Sequence, residues 1–203
     1  MKKDEKNIYL DYIYLMDSLK EYASPKSKLT QMIKSGEVIK VKRGLYLPGG
    51  GSWYSQKTLA NKLYGPSYLS FEYALSHYNL IPEKVQALTS ASYNKNKNKQ
   101  FKTPVGFFIY RYTNPAVYPY GIVRMEEDGS PFLIATREKA ICDTLSKIRG
   151  IGSIKQLEAL LFDDLRIDKN ELARLDTAEV NFLAGIYGKK IISLVSEYMK
   201  RGG

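Results

Sequence analysis

One cysteine, one histidine and one tryptophan occur in 203 residues. The lone cysteine, Cys142, excludes an internal disulfide and any cysteine-based zinc site. The lone histidine, His77, leaves metal centres and histidine acid–base chemistry hard to build, so the sequence predicts no metal, no cofactor and no enzyme. No apolar run approaches the roughly 18 residues that a membrane span requires. The opening Met1-Lys2-Lys3-Asp4-Glu5-Lys6-Asn7 has no apolar stretch behind its charges, which predicts no secretory signal and a cytoplasmic address. Glycine-rich phosphate loops leading into a helix are also missing, so nothing in the sequence speaks for a nucleotide-binding loop.

What is present is ordinary in amount and unusual in sign. Hydrophobic residues make up 44% and charged residues 26%, enough apolar material to bury a core. Lys plus Arg is 31 against 21 for Asp plus Glu, giving a net charge of +10. Such a balance favours an acidic partner such as nucleic acid. The excess is uneven: net +4 over residues 1–50, +4 over 51–100, +2 over 101–150 and zero over 151–203. A basic front and a neutral rear suggest two tasks.

The periodicity predicts a helix over 8–23, with Ile8, Tyr12, Leu15, Met16, Leu19 and Ala23 at helical spacing. Ser24 is placed to cap a second helix that has Pro25 in its first turn and ends at Ser35-Gly36. Alternation over 38–47, broken by Gly44 and closed by Pro48, predicts a β-hairpin with a basic tip. Gly49-Gly50-Gly51-Ser52 reads as a linker. Beyond it, helices are expected near 56–64 and 70–78, strands at 85–91 and 105–112, and a hairpin at 122–125 and 132–135. Thr136 should cap a helix reaching Ile148, and 153–200 should be helical, with capping boxes at Ser153/Gln156, Asp168/Glu171 and Asp176/Glu179. The expected class is therefore α+β: an N-terminal winged helix-turn-helix at 1–48, a linker at 49–55, and a mixed α/β domain with C-terminal helices at 56–203.

On a helical wheel of 26–34, Leu29, Met32 and Ile33 cover one side, and Ser27, Thr30, Gln31 and Lys34 cover the other. Lys26 and Lys28 flank the polar face. Side chains able to read base edges, bordered by cations able to hold phosphates, are what a major-groove helix needs. The hairpin adds Lys40, Lys42 and Arg43. Any single lysine of this set is also what a solvated surface carries; the combined arrangement points to duplex DNA. A standard winged helix-turn-helix has an additional helix before its recognition helix, and the chain between Tyr22 and Ser24 leaves no room for one. Either the first helix breaks, or a later helix packs beneath.

The blocks Ser24-Pro25-Lys26-x-Lys28-Leu29, Ile33-Lys34-x-Gly36-x-Val38-Ile39 and Val41-Lys42-Arg43-Gly44-Leu45-Tyr46 resemble the winged-helix start of AbiEi-type antitoxins. The similarity continues in Gly65-Pro66-Ser67-Tyr68-Leu69-Ser70-Phe71-Glu72-Tyr73-Ala74-Leu75 and in Leu80-Ile81-Pro82. It recurs in Ile134-Ala135-Thr136-Arg137-Glu138-Lys139-Ala140-Ile141-Cys142-Asp143-Thr144-Leu145, so the matching blocks span roughly 7–148. The resemblance implies the transcriptional-regulator half of an abortive-infection toxin–antitoxin pair. Such a protein autorepresses its operon by binding double-stranded operator DNA and counteracts a nucleotidyltransferase toxin, with self-association on DNA where the operator is an inverted repeat.

Two competing readings are a winged-helix regulator without a toxin, whose second domain senses a ligand, and a DNA-targeted nuclease. Arg137-Glu138-Lys139 with Asp143 is the only charged group that invites an enzyme reading. A metal-dependent nuclease needs carboxylates converging from more than one element, and no upstream Asp ends a strand suitably. Cys142, without a neighbouring base, reads as a small buried hydrophobe. The Lys95, Lys97, Lys99 and Lys102 stretch reads equally as a solvated loop or as a second phosphate contact. Tyr110, Tyr112, Tyr118 and Tyr120 read as core or interface.

Overall fold

A computed structural model describes residues 9–202, which form two sheets and their covering helices in an α+β arrangement. The front unit opens with a short strand, β1 (Leu10–Asp11), followed by α1 (Tyr12–Ser18), α2 (Pro25–Ser35), β2 (Val38–Lys42) and β3 (Leu45–Pro48). Its sheet is antiparallel in the order β1-β3-β2. The helix expected over 8–23 is thus broken. Leu10 and Asp11 pair with Tyr46 and Leu45, and the Asp11 carboxylate then caps α1 by accepting the Tyr14 N–H at 2.7 Å. The chain leaves the helix at Leu19, which makes room for a turn before α2; residue 8 lies outside the described residues.

Ser24 does not cap α2 as expected, because its hydroxyl donates to Ser27 Oγ at 2.8 Å rather than accepting a backbone N–H. Pro25 does open the helix, and Gly36 closes it in the left-handed conformation at φ 79°. Glycine is required for a second reason at Gly49, whose N–H donates to the Glu37 carbonyl at 2.8 Å. A Cβ there would fall 1.7 Å from the Gly36 carbonyl oxygen. The first glycine of the triple run therefore ties the end of the hairpin to the end of α2.

The rear unit contains α3 (Gln56–Leu63), β4 (Ser67–Leu69), α4 (Phe71–His77), β5 (Leu88–Tyr93), β6 (Lys99–Thr103), β7 (Gly106–Thr113), β8 (Ile122–Glu127) and β9 (Ser130–Ala135). Next come α5 (Arg137–Leu145), α6 (Ile154–Glu158), a π-helical turn (Ala159–Asp164), α7 (Lys169–Ala173), α8 (Thr177–Tyr187) and α9 (Lys190–Lys200). The six-stranded sheet runs β6-β7-β5-β4-β9-β8, parallel between β5 and β7 and between β4 and β9, antiparallel elsewhere. Helix α3 packs on the sheet at β4, β5 and β9, α4 packs on β5 and α5, and α8 and α9 cover α5. The side chains of Thr136, Ser153, Asp168 and Asp176 each accept a backbone N–H at a helix start, as their capping patterns require.

Besides β1, two strands carry no clear pattern in the sequence. β4 is three residues long, and β6 is a basic edge strand where alternation is hidden by lysines. α5 stops at Leu145, short of the expected Ile148. No helix among the described residues is long and apolar enough to cross a membrane.

Two clusters of buried apolar side chains hold the chain together. The smaller joins Leu15, Leu19, Leu29, Val38 and Tyr46 within the front unit. The larger fills the rear unit and reaches into the hairpin, where Val41 and Leu47 belong to it. The Tyr9 hydroxyl also donates to the Ser55 carbonyl at 3.0 Å. The front unit is docked on the rear one by packing, not merely tethered to it.

Candidate nucleic-acid interface

Helix α2 sorts its side chains as its periodicity requires. Leu29 is buried and Met32 and Ile33 are half-buried against the small core, while Lys26, Ser27, Thr30, Gln31 and Lys34 are exposed. Thr30 donates its hydroxyl to the Lys26 carbonyl at 2.9 Å, and Ser27 accepts from Ser24, so both retain acceptor capacity outward. Gln31 and Lys34 side chains have no hydrogen-bond or ion-pair partner among the described residues. Lys28, half-buried, lies 5.2 Å above the Tyr22 ring.

The hairpin divides its three cations. Lys40 and Arg43 are exposed and form no ion pair among the described residues. Lys42 turns inward and donates to the Leu63 carbonyl at the end of α3. Burial lowers its pKa from the usual lysine value. The cause is a break in register: Lys40 faces Tyr46 and Lys42 faces Leu45, leaving Val41 as an extra residue in β2. A bulge of this kind re-aims the side chains that follow it. Simple alternation in the sequence put Lys42 beside Lys40; the bulge separates them. Lys42 therefore pins the hairpin to the rear unit.

Away from this face, the charged group noted around Arg137 forms the framework of the rear unit. Arg137 pairs with Glu171 at 2.9 Å, and Glu138 accepts the Asp176 N–H at 3.0 Å. Lys139 and Asp143, one turn apart on α5, are 0% and 1% exposed with Nζ and Oδ1 3.7 Å apart. The ammonium donates to the Val117 carbonyl at 2.6 Å and sits 4.7 Å from the Tyr187 ring centre. The carboxylate accepts three hydroxyls: Ser70 at 2.7 Å, Tyr68 at 2.9 Å and Tyr187 at 2.6 Å. Burial, with Asp143 adding to it, raises the pKa of both tyrosines, so they stay protonated as donors. Burial lowers the Lys139 pKa, and Asp143 opposes that shift. The ammonium, the carboxylate and the three hydroxyls each have a partner, and the network holds α5, α8, β4 and the start of α4 together.

Cys142 is fully buried with its thiol pKa pushed up by desolvation. His77 is half-buried at the end of α4, and burial and the nearby Lys57 lower its pKa from 6.5. Among the described residues, no three His, Cys, Asp or Glu side chains gather where they could hold a metal ion. Of the four tyrosines singled out, Tyr110 is buried with its hydroxyl donating to the Ala60 carbonyl at 2.6 Å. Tyr118 packs between Tyr68 and Tyr93, and Tyr120 stacks edge-on against the exposed Phe182. Tyr112 is half-buried. In the basic stretch, Lys95 and Lys102 lie over Tyr64 and Phe107, and Lys99 and Lys102 sit on the edge strand β6.

No protein-family model matches the chain, and no curated protein matches it.

Proposed function

We propose that the chain is a sequence-specific DNA-binding antitoxin that autorepresses its operon and counteracts a nucleotidyltransferase toxin. The observation that carries the DNA half is the open polar face of α2. Ser27, Thr30, Gln31 and Lys34 stand together in solvent, with Gln31 and Lys34 unengaged, beside Lys40 and Arg43 of the hairpin. In this reading α1 and α2 are the helix-turn-helix pair and β2–β3 is the wing, so the front unit is a winged helix-turn-helix. Gln31 reads a base edge, and its amide suits the paired donor and acceptor of adenine. Lys26, Lys28, Lys34, Lys40 and Arg43 hold phosphates, which fixes register without reading sequence. Lys42 is left out of that set because its ammonium is spent on Leu63.

The toxin half rests on the resemblance of the blocks over 7–148 to AbiEi-type antitoxins, and the contrast between a basic front and a neutral rear supports neutralisation by the rear unit. The test uses the full chain, because Val41 and Leu47 share the rear core and a fragment ending near residue 50 would expose them. Binding to the duplex upstream of its own reading frame is measured alongside growth rescue of cells expressing the toxin encoded next to it. Gln31→Ala should weaken promoter binding and retain rescue. Loss of rescue together with promoter binding would place neutralisation at the DNA face instead.

A further inference from the structure

A cleft of about 370 Å3 opens between the end of β7, the segment after α5 and the segment joining α8 to α9. That volume is within the range of small-ligand sites. Three cations line it from two sides: Lys147 and Arg149 after α5, and Lys189 after α8. Its lining contains no carboxylate. Lys147 donates to the Tyr112 carbonyl at 2.6 Å and Lys189 to the Ser146 carbonyl, so each ammonium is fixed in place with two further N–H donors to offer. Arg149 is exposed and has no partner among the described residues.

Lys147 and Lys189 stand close enough to repel each other. Burial lowers the Lys147 pKa, Lys189, Arg111 and Lys139 add to the effect, and Asp143 opposes it. Like charges held together are stabilised by an anion placed among them. One neutral group extends the cleft's chemistry. Asn114 spends its Oδ1 on the Ala116 N–H at 2.9 Å, which leaves its amide N–H groups to donate.

From this geometry we propose that the cleft binds the phosphoryl group of a small organic phosphate of mononucleotide size. The tetrahedral anion lies among Lys147, Arg149 and Lys189, and the ester half rests against Tyr187 and the Asn114 amide. Side chains do here what a glycine-rich loop does elsewhere, which is why the sequence carries no loop signature for the site. The inference is independent of the DNA reading: the cleft belongs to the rear unit and shares no residue with α2 or the hairpin.

Calorimetric titration of the full chain at low salt with inorganic phosphate, AMP and ATP tests it, with Arg149→Glu, Asn114→Asp and Lys84→Glu as variants. Arg149→Glu reverses a charge that holds nothing else in place, and Asn114→Asp keeps the acceptor for Ala116 while adding a negative charge to the cleft. Lys84→Glu makes the same charge change as Arg149→Glu at an exposed position outside the cleft. Thermal unfolding checks that all three fold. A nucleotide should bind with Kd below about 1 mM, at least tenfold weaker in Arg149→Glu and in Asn114→Asp and unchanged in Lys84→Glu. Binding of inorganic phosphate as tight as that of AMP would overturn the nucleotide-sized half of the proposal. No binding of any of the three, equal weakening by Arg149→Glu and Lys84→Glu, or an Arg149→Glu defect seen only with promoter DNA would overturn it entirely.

Discussion

On α2 and the hairpin, Lys26, Lys34, Lys40 and Arg43 stand in solvent with no carboxylate against them among the described residues, whereas Lys139 on α5 lies with no exposed surface between Asp143 and two tyrosine rings. Both regions are rich in charge, and the difference lies in what each charge touches. A buried pair must satisfy every lone pair it removes from water, and Asp143 does so with three hydroxyls. An open cation gains little from the fold and stays available to a partner. The comparison separates charges that build the protein from charges it can spend on recognition.

The strongest way to break that comparison is to remove the buried acid. Asp143→Ala leaves the Lys139 ammonium without a counter-charge and three hydroxyls without their acceptor. It should cost about 3–5 kcal/mol, read as a lower midpoint in denaturant. Lys34→Ala, in contrast, should leave the midpoint within about 0.5 kcal/mol of the parent. Equal effects from the two would remove the distinction.

Next in size are the two cores. Leu47→Ala, in the hairpin but part of the larger cluster, and Leu29→Ala, in the smaller one, should each cost about 2–5 kcal/mol. Because Leu47 bridges the units, both substitutions should shift one common unfolding transition. Two resolved transitions, with Leu29→Ala moving only the first, would show the front unit folding on its own.

These predictions separate what could be read from sequence from what could not. The inward Leu29, Met32 and Ile33 and the outward Gln31 and Lys34 follow from a period of 3.6 residues, and the helix-capping side chains of Thr136, Ser153, Asp168 and Asp176 follow from local chemistry. Lys42 could not be placed, because a one-residue bulge at Val41 depends on pairing with β3 and reverses the alternation after it. The break at Asp11 was hidden for the same reason: Leu10 and Asp11 are helix-compatible in isolation and extended only because β3 lies beside them. Asp143 and its hydroxyl donors come from positions 68, 70 and 187, a distance in sequence that no periodicity spans. Lys139 and Asp143 stand out in the sequence only as part of a charged group, and nothing local shows that they are buried together.

At the DNA face the expected effects are smaller and selective. Gln31→Ala should lose about 1–3 kcal/mol on promoter DNA and little on random duplex. Lys42→Ala should leave the salt dependence of binding unchanged while lowering stability, since its ammonium is engaged with Leu63. A salt slope reduced by about one unit would instead return Lys42 to the phosphate contacts.

The smallest effect concerns His77. Its pKa is lowered from 6.5 in the folded chain, so the unfolded chain takes up the proton first as pH falls. Stability should be complete above pH 6.5 and decline below it, and His77→Gln should flatten that decline. An unchanged pH profile in the variant would assign the acid sensitivity to other groups.

The most direct test of the central claim is the affinity of the full chain for its own promoter duplex as a function of salt, compared with the triple variant Lys34→Ala, Lys40→Ala, Arg43→Ala. Each lost phosphate contact should reduce the log–log slope by about 0.9. The triple variant should therefore bind more weakly and with a slope shallower by between two and three units, while keeping its thermal midpoint. Promoter binding with the parent's affinity and slope would contradict the assignment of this face to DNA.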